Sequence, residues 1–261
     1  MTGRRLLGSV VLLAAVVAAC GGGTDRAEPH AAPQGGDGPV DVISIVLDDA
    51  SAEMVSAMPN VDALLRTPGT DFTDAAVSVP LCCPSRATLV TGAYAHNHGV
   101  LDNVGPAGGH DKLDWGDTVA TRLSAAGYRT AHVGRTLNDY TPRARQLVPP
   151  GWNDWYAPLE DRTRAFIAFG TPLVANGEVR LTRASKHVDD VIADRSVAIV
   201  RDLAGTSPYF LQVASLAPHT ARPSPGDPAG LPIPPERFAE ADVGPGLPDA
   251  PSRAAVAAAD K

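Results

Sequence analysis

Apolar and polar positions alternate along the chain in blocks whose periods change. Val42-Ile43-Ser44-Ile45-Val46-Leu47 is a β-branched apolar run bounded by charged residues and ending in Asp48-Asp49. Such a run predicts a central strand covered on both faces. Thr118 to Ala126 has helical spacing with Gly127 suited to its C-terminal cap, and Tyr128 to Val133 then reads as a strand followed by Arg135. Val188, Val191, Ile192, Ile199 and Leu203 form a longer helical stripe stopped by Gly205, before a strand over Tyr209 to Ala214 with His219 just beyond it. Strands alternating with helices predict an α/β fold, a mostly parallel sheet sandwiched by helices. Ligands of such sheets bind beyond the carboxyl ends of the strands. Here those ends carry two carboxylates, a guanidinium and an imidazole.

The first twenty residues follow a different rule. Arg4 and Arg5 precede an unbroken apolar or small-residue run from Leu6 to Ala19, and Cys20 follows. At 1.5 Å per residue this run reaches about 21 Å, short of the roughly 30 Å hydrocarbon core, so it reads as a signal peptide. Val17-Ala18-Ala19-Cys20 resembles a bacterial lipobox. That resemblance implies lipid on Cys20 and export, with the chain anchored to the outer face of the bacterial cell membrane or periplasmic. The predicted organisation is a signal peptide over 1–19, a Gly/Pro-rich flexible tether over 20–39, an α/β domain over 40–235 and a Pro/Ala-rich tail over 236–261.

Charge narrows the partners. The chain has 261 residues, with 22 Lys+Arg against 29 Asp+Glu and a formal net charge of −7. With no Lys/Arg run besides, no nucleic-acid partner is expected. Of its 3 Cys, one lies at the lipobox. The remaining pair, Cys82-Cys83, cannot staple distant segments and is too small a set for a zinc site.

The sharpest feature is Leu81-Cys82-Cys83-Pro84-Ser85-Arg86-Ala87-Thr88-Leu89-Val90-Thr91-Gly92. Pro84 suits a first helical turn, Ala87 to Val90 can continue it and Gly92 can close it. Cys82 and Cys83 then lie where unpaired backbone N–H groups favour an anion, and Arg86 adds a fork for tetrahedral oxyanions. The pattern Cys82-x-Pro84-Ser85-Arg86-x-x-x-x-Thr91-Gly92 resembles the signature of the sulfatase family, in which the first Cys is oxidised to formylglycine. Tyr94-Ala95-His96-Asn97-His98-Gly99-Val100 resembles the branch of N-acetylglucosamine-6-sulfatases and related arylsulfatases.

The resemblance implies an alkaline-phosphatase-like fold and a role for each matched position. Asp48, Asp49 and the converted Cys82 would hold a divalent cation, Ca²⁺ or Mg²⁺. Cys82, as the formylglycine hydrate, would be the nucleophile, Arg86 would hold it, and Arg135 and His219 would meet the sulfate or leaving oxygen. Arg135 stands where the family usually has Lys. The implied reaction is hydrolysis of aryl or sugar sulfates, the implied substrate a sulfated small molecule or saccharide, and a formylglycine-generating enzyme is needed for maturation. A geminal diol suits this chemistry because one hydroxyl attacks sulfur and the other later expels sulfate. The family domain is substantially longer than this chain. A second acidic metal pair is not visible, since Asp227, Asp242, Asp249 and Asp260 follow no apolar strand. The resemblance therefore implies a truncated domain with half a metal shell.

Plainer readings stand beside these. Cys82 and Cys83 read as a vicinal disulfide or two inert thiols, His96 and His98 as structural or pocket-wall residues, and Asp189-Asp190 as a solvated face. A phospho- or phosphono-ester hydrolase of the same superfamily and a non-catalytic lipoprotein remnant are the alternative functions.

Overall fold

The computed structural model describes residues 38–160, 167–206, 208–220 and 232–238. The expected signal peptide, Cys20, most of the tether and nearly all of the tail lie outside them, as do Asp227, Asp242, Asp249 and Asp260. The strands are β1 (Val42–Asp48), β2 (Arg129–Gly134), β3 (Asp154–Pro158), β4 (Pro172–Ala175), β5 (Glu178–Leu181) and β6 (Tyr209–Pro218). The helices are α1 (Ala52–Ser56), α2 (Pro59–Val61), α3 (Cys82–Thr91), α4 (Ala95–His98), α5 (Val119–Ala125) and α6 (Val188–Leu203). No helix among the described residues is long and apolar enough to cross a membrane.

The strands form one sheet of order β1-β6-β2-β3-β4-β5. β1, β6, β2 and β3 run parallel, with Val42 opposite Phe210, Ala131 opposite Leu211 and His132 opposite Trp155. β4 and β5 are antiparallel additions. They are joined by Asn176-Gly177, both at positive φ, as a tight two-residue hairpin turn demands. The expected α/β architecture is thus present, with an antiparallel edge on a parallel sheet.

One expectation needs correction. Among the described residues β1 is an edge strand, and Ile43 and Ile45 are 45% and 57% exposed. A β-branched run tells that a strand forms. Its place in the sheet depends on which partners pair with it from far along the chain, and the run carries no record of them.

Period-two alternation sends the sheet's side chains to two cores. On one face Phe210, Trp152 and Trp155 pack with Cys83, Ala87 and Val90 of α3 and Ala120 of α5. On the other, Ala131, Val133 and Leu211 pack against Val188, Ile192, Ile199 and Leu203 of α6. The predicted stripe is therefore the buried face of α6, with Val191 half-buried beside it.

Local chemistry sets the helix ends that matter for the site. Leu81 is the extended N-cap of α3, and Pro84 lies in the first turn, where its missing N–H costs nothing. Gly92 closes the helix at φ 69°, its N–H donating to Thr88 O at 2.8 Å. Thr118 and Thr121 form a reciprocal capping box at α5. Asp189, expected on a solvated face, is not there. Its carboxylate accepts from Ser215 Oγ (2.7 Å), Leu216 N (2.8 Å) and Ala217 N (3.2 Å), tying the start of α6 to the end of β6.

Candidate active site

Three parallel strands end, and one helix begins, at the same place. β1 ends in Asp48, which pairs with Pro218 of β6 across a shift in register. Asp49 then takes the left-handed conformation at φ 64°, which sends consecutive carboxylates in different directions. Asp48 is 5% exposed whereas Asp49 is open. β6 delivers His219, whose Nε2 lies 3.4 Å from Asp49 Oδ2 and whose Nδ1 lies 2.8 Å from Thr220 O. β2 ends at Gly134, at φ 119°, where any Cβ would collide with the Ala214 carbonyl. This turn drives Arg135 inward.

α3 supplies the rest. One ligand atom from each of Asp48, Asp49 and Cys82 lies within 4.8 Å of the others, as one bound ion requires. Two carboxylates are hard oxygen donors suited to Ca²⁺ or Mg²⁺, so the residues present fit a divalent cation. Arg86, one turn into α3, is buried. Its Nη2 stands 3.4 Å from Asp48 Oδ1 and its Nη1 donates to Arg135 O at 2.9 Å. Arg135 is fully buried. Its guanidinium engages Asp48 through Nη1, Asn138 Oδ1 through Nη2 (2.8 Å) and Glu160 through Nε (3.2 Å).

All six residues singled out from the sequence (Asp48, Asp49, Cys82, Arg86, Arg135 and His219) therefore meet in one linked cluster. Their geometry adds detail that spacing could not. Arg86 and Arg135 both turn to Asp48. One expected anion-facing donor is already used, since the N–H of Cys83 is taken by Asn103 Oδ1 at 2.8 Å.

The two cysteines differ sharply. Cys83 is completely buried; its thiol reaches Asn103 O at 3.5 Å and accepts from Asn138 N at 3.1 Å. Burial pushes its pKa up to about 11. Cys82 is half-buried, and its thiol is also raised, by burial first and then by Asp49, with Arg86 opposing. Burial likewise lowers Arg86 and raises Glu160, each offset by the opposite charges around it. The histidines of α4 make local contacts. His98 Nε2 lies 3.1 Å from Thr88 Oγ1, its Nδ1 accepts from Val100 N at 3.1 Å, and His96 stacks on Tyr94.

Glu160, Asn138 and Asn103 were not anticipated. Glu160 lies two residues past β3, at the carboxyl edge of the sheet, after a strand whose short Trp155-Tyr156 run gives little cue. Asn138 lies three residues after Arg135 in a loop that offers no periodic cue.

The family model described as Sulfatase matches residues 41–242. The chain is 33% identical over 193 residues to the N-acetylglucosamine-6-sulfatase of Homo sapiens, covering 69% of this chain and 34% of that protein. It is 32% identical over 191 residues to the extracellular sulfatase SULF-1 homolog of Drosophila melanogaster, covering 68% of this chain and 16% of that one. Among solved structures, one in complex with its substrate D-glucosamine-2-N,6-O-disulfate superposes with a TM-score of 0.57 at 21% identity, covering 70% of this chain and 35% of that one. The chain thus spans 16% to 34% of the length of these two curated relatives.

Proposed function

The chain belongs to the sulfatase family, and from that premise we propose that it hydrolyses sulfate esters of sugars or phenols at Cys82, converted to formylglycine, with a divalent cation held beside it. The observation that carries this reading is the convergence of Asp48, Asp49 and Cys82 within 4.8 Å of one another. When present, the converted side chain supplies a nucleophilic hydroxyl, and the cation polarises the sulfuryl oxygens. Asp48 and Asp49 are the residues that would hold the cation. Arg86 and Arg135 orient Asp48 and balance its buried charge. His219, 3.4 Å from Asp49, donates a proton to the departing oxygen.

A sulfated saccharide is the preferred substrate class, a reading supported by the relative named as an N-acetylglucosamine-6-sulfatase. The rest of the proposal concerns delivery: a signal over 1–19, lipid on Cys20, a tether to 39 and display outside the cell, with a formylglycine-generating enzyme acting on Cys82 beforehand.

The test expresses the full chain with a formylglycine-generating enzyme, maps the peptide that contains position 82 by mass, and measures sulfate release from an aryl sulfate and its phosphate analogue. Conversion at 82 with sulfate release that Cys82→Ala abolishes is the expected outcome. Unmodified thiol throughout counts against the reading, and faster phosphate release shifts the substrate class. One observation favours the non-catalytic alternative: both oxygens of Asp48 are engaged by guanidinium groups. Complete conversion without turnover in the presence of Ca²⁺ would establish that alternative.

A further inference from the structure

Glu160 follows β3 and is 3% exposed. Its backbone N–H donates to Tyr140 O at 2.8 Å, which anchors it independently of its side chain. Its two carboxylate oxygens straddle one nitrogen, Nε of Arg135, at 3.2 and 3.3 Å. The remaining two edges of that guanidinium go to Asp48 and Asn138. The charges form a chain, Glu160 to Arg135 to Asp48 to Arg86, with two acids and two bases, each no more than 9% exposed at its side chain. Without Glu160, more of the positive charge of Arg135 would fall on Asp48. A cation seeking Asp48 would then meet a more positive potential in a poorly solvated site, where charges interact strongly.

We propose that Glu160 is a positioning residue for the cation site: by engaging Arg135 it leaves Asp48 enough negative charge for a divalent cation and fixes the direction in which that carboxylate points. The inference rests on the proposed role of Asp48 as a cation ligand. Glu160 itself touches neither the cation nor the substrate.

Calorimetric titration of the full chain with Ca²⁺ alone tests it, with thermal unfolding recorded in the absence of Ca²⁺. Glu160→Gln is expected to weaken Ca²⁺ binding about tenfold, within the range measured for coupling inside a charged network. Arg135→Gln combined with Glu160→Gln is expected to recover to within about threefold of the parent, because the guanidinium charge that Glu160 offsets is gone as well. A purely structural Glu160 would lower the unfolding temperature and leave the affinity of the folded protein unchanged. Unchanged affinity in Glu160→Gln, or a double variant as weak as the single one, overturns the proposal. Should Glu160→Gln not fold, Arg135→Gln alone decides, with tighter Ca²⁺ binding expected and unchanged or weaker binding overturning it. A parent chain that binds no Ca²⁺ defeats the cation reading above, whereas binding indifferent to Glu160 defeats only this inference.

Discussion

Asp48 Oδ1 lies 3.4 Å from Arg86 Nη2, joining the end of the first strand to the second turn of the helix that Cys82 begins. Both side chains are buried, so the pair is a hinge pin between sheet and helix. Arg86→Ala would leave the buried acid network one positive charge short and also release the Arg135 carbonyl. The expected loss is about 3–5 kcal/mol of unfolding free energy, the usual cost of breaking a buried pair. Urea denaturation measures it, and a loss well below 1 kcal/mol would show the pair to be solvated.

Stability should fall on mild acidification. Burial holds His110 and His132 neutral, each with a pKa lowered from 6.5 to about 4. A base with a depressed folded pKa is protonated in the unfolded chain first. The unfolded state therefore binds more protons between pH 6.5 and 4, and stability is lost as pH falls through that window. Between pH 7 and 5 each histidine should remove about 2 kcal/mol. A flat urea midpoint across that range would contradict the burial of both rings.

The two neighbouring thiols should be chemically distinct. With its pKa near 11 against an ordinary value of 9.0, Cys83 carries about a hundredfold less thiolate than a free thiol, and its burial blocks access besides. Under native conditions iodoacetamide should label Cys82 in preference to Cys83, and unfolding should equalise them. Peptide mass mapping decides, and equal native labelling would refute the assignment.

Asp189 should govern the segment that carries His219. Asp189→Ala removes the acceptor for Ser215 Oγ and the amides of Leu216 and Ala217. The expected cost is about 2–4 kcal/mol, and hydrogen exchange at those two amides should accelerate by at least tenfold. Unchanged protection would mean that Asp189 is dispensable to that loop.

Much of the site was legible before any fold was known, because its residues follow rules written in local sequence. Asp48-Asp49, Arg135 and His219 each come directly after an apolar strand, and parallel sheets gather such positions at one edge. The Cys82 motif has its own helix signals in Pro84 and Gly92, and the helix runs from Cys82 to Thr91. Glu160 was missed because an acid after a short aromatic run has no distinctive neighbour, and its role depends on Arg135, twenty-five residues earlier. Asp189 reads as a surface position for the same reason. Its partners lie on the next strand, so its spacing in α6 describes a surface position while its contacts make it a brace.

Sequence by itself determined β1, α3, α5, β2, α6 and β6, the α/β class and the group of residues that meet at the strand ends, since apolar period, capping residues and a fixed motif act over a few positions. Only the tertiary structure decided that β1 lies at an edge, that Asp48 is shared by two guanidinium groups, and that Cys83 is sealed while Cys82 is not. Those outcomes depend on burial and on charges brought together from distant parts of the chain. No local pattern encodes the distance between two side chains eighty-seven residues apart, as Asp48 and Arg135 are.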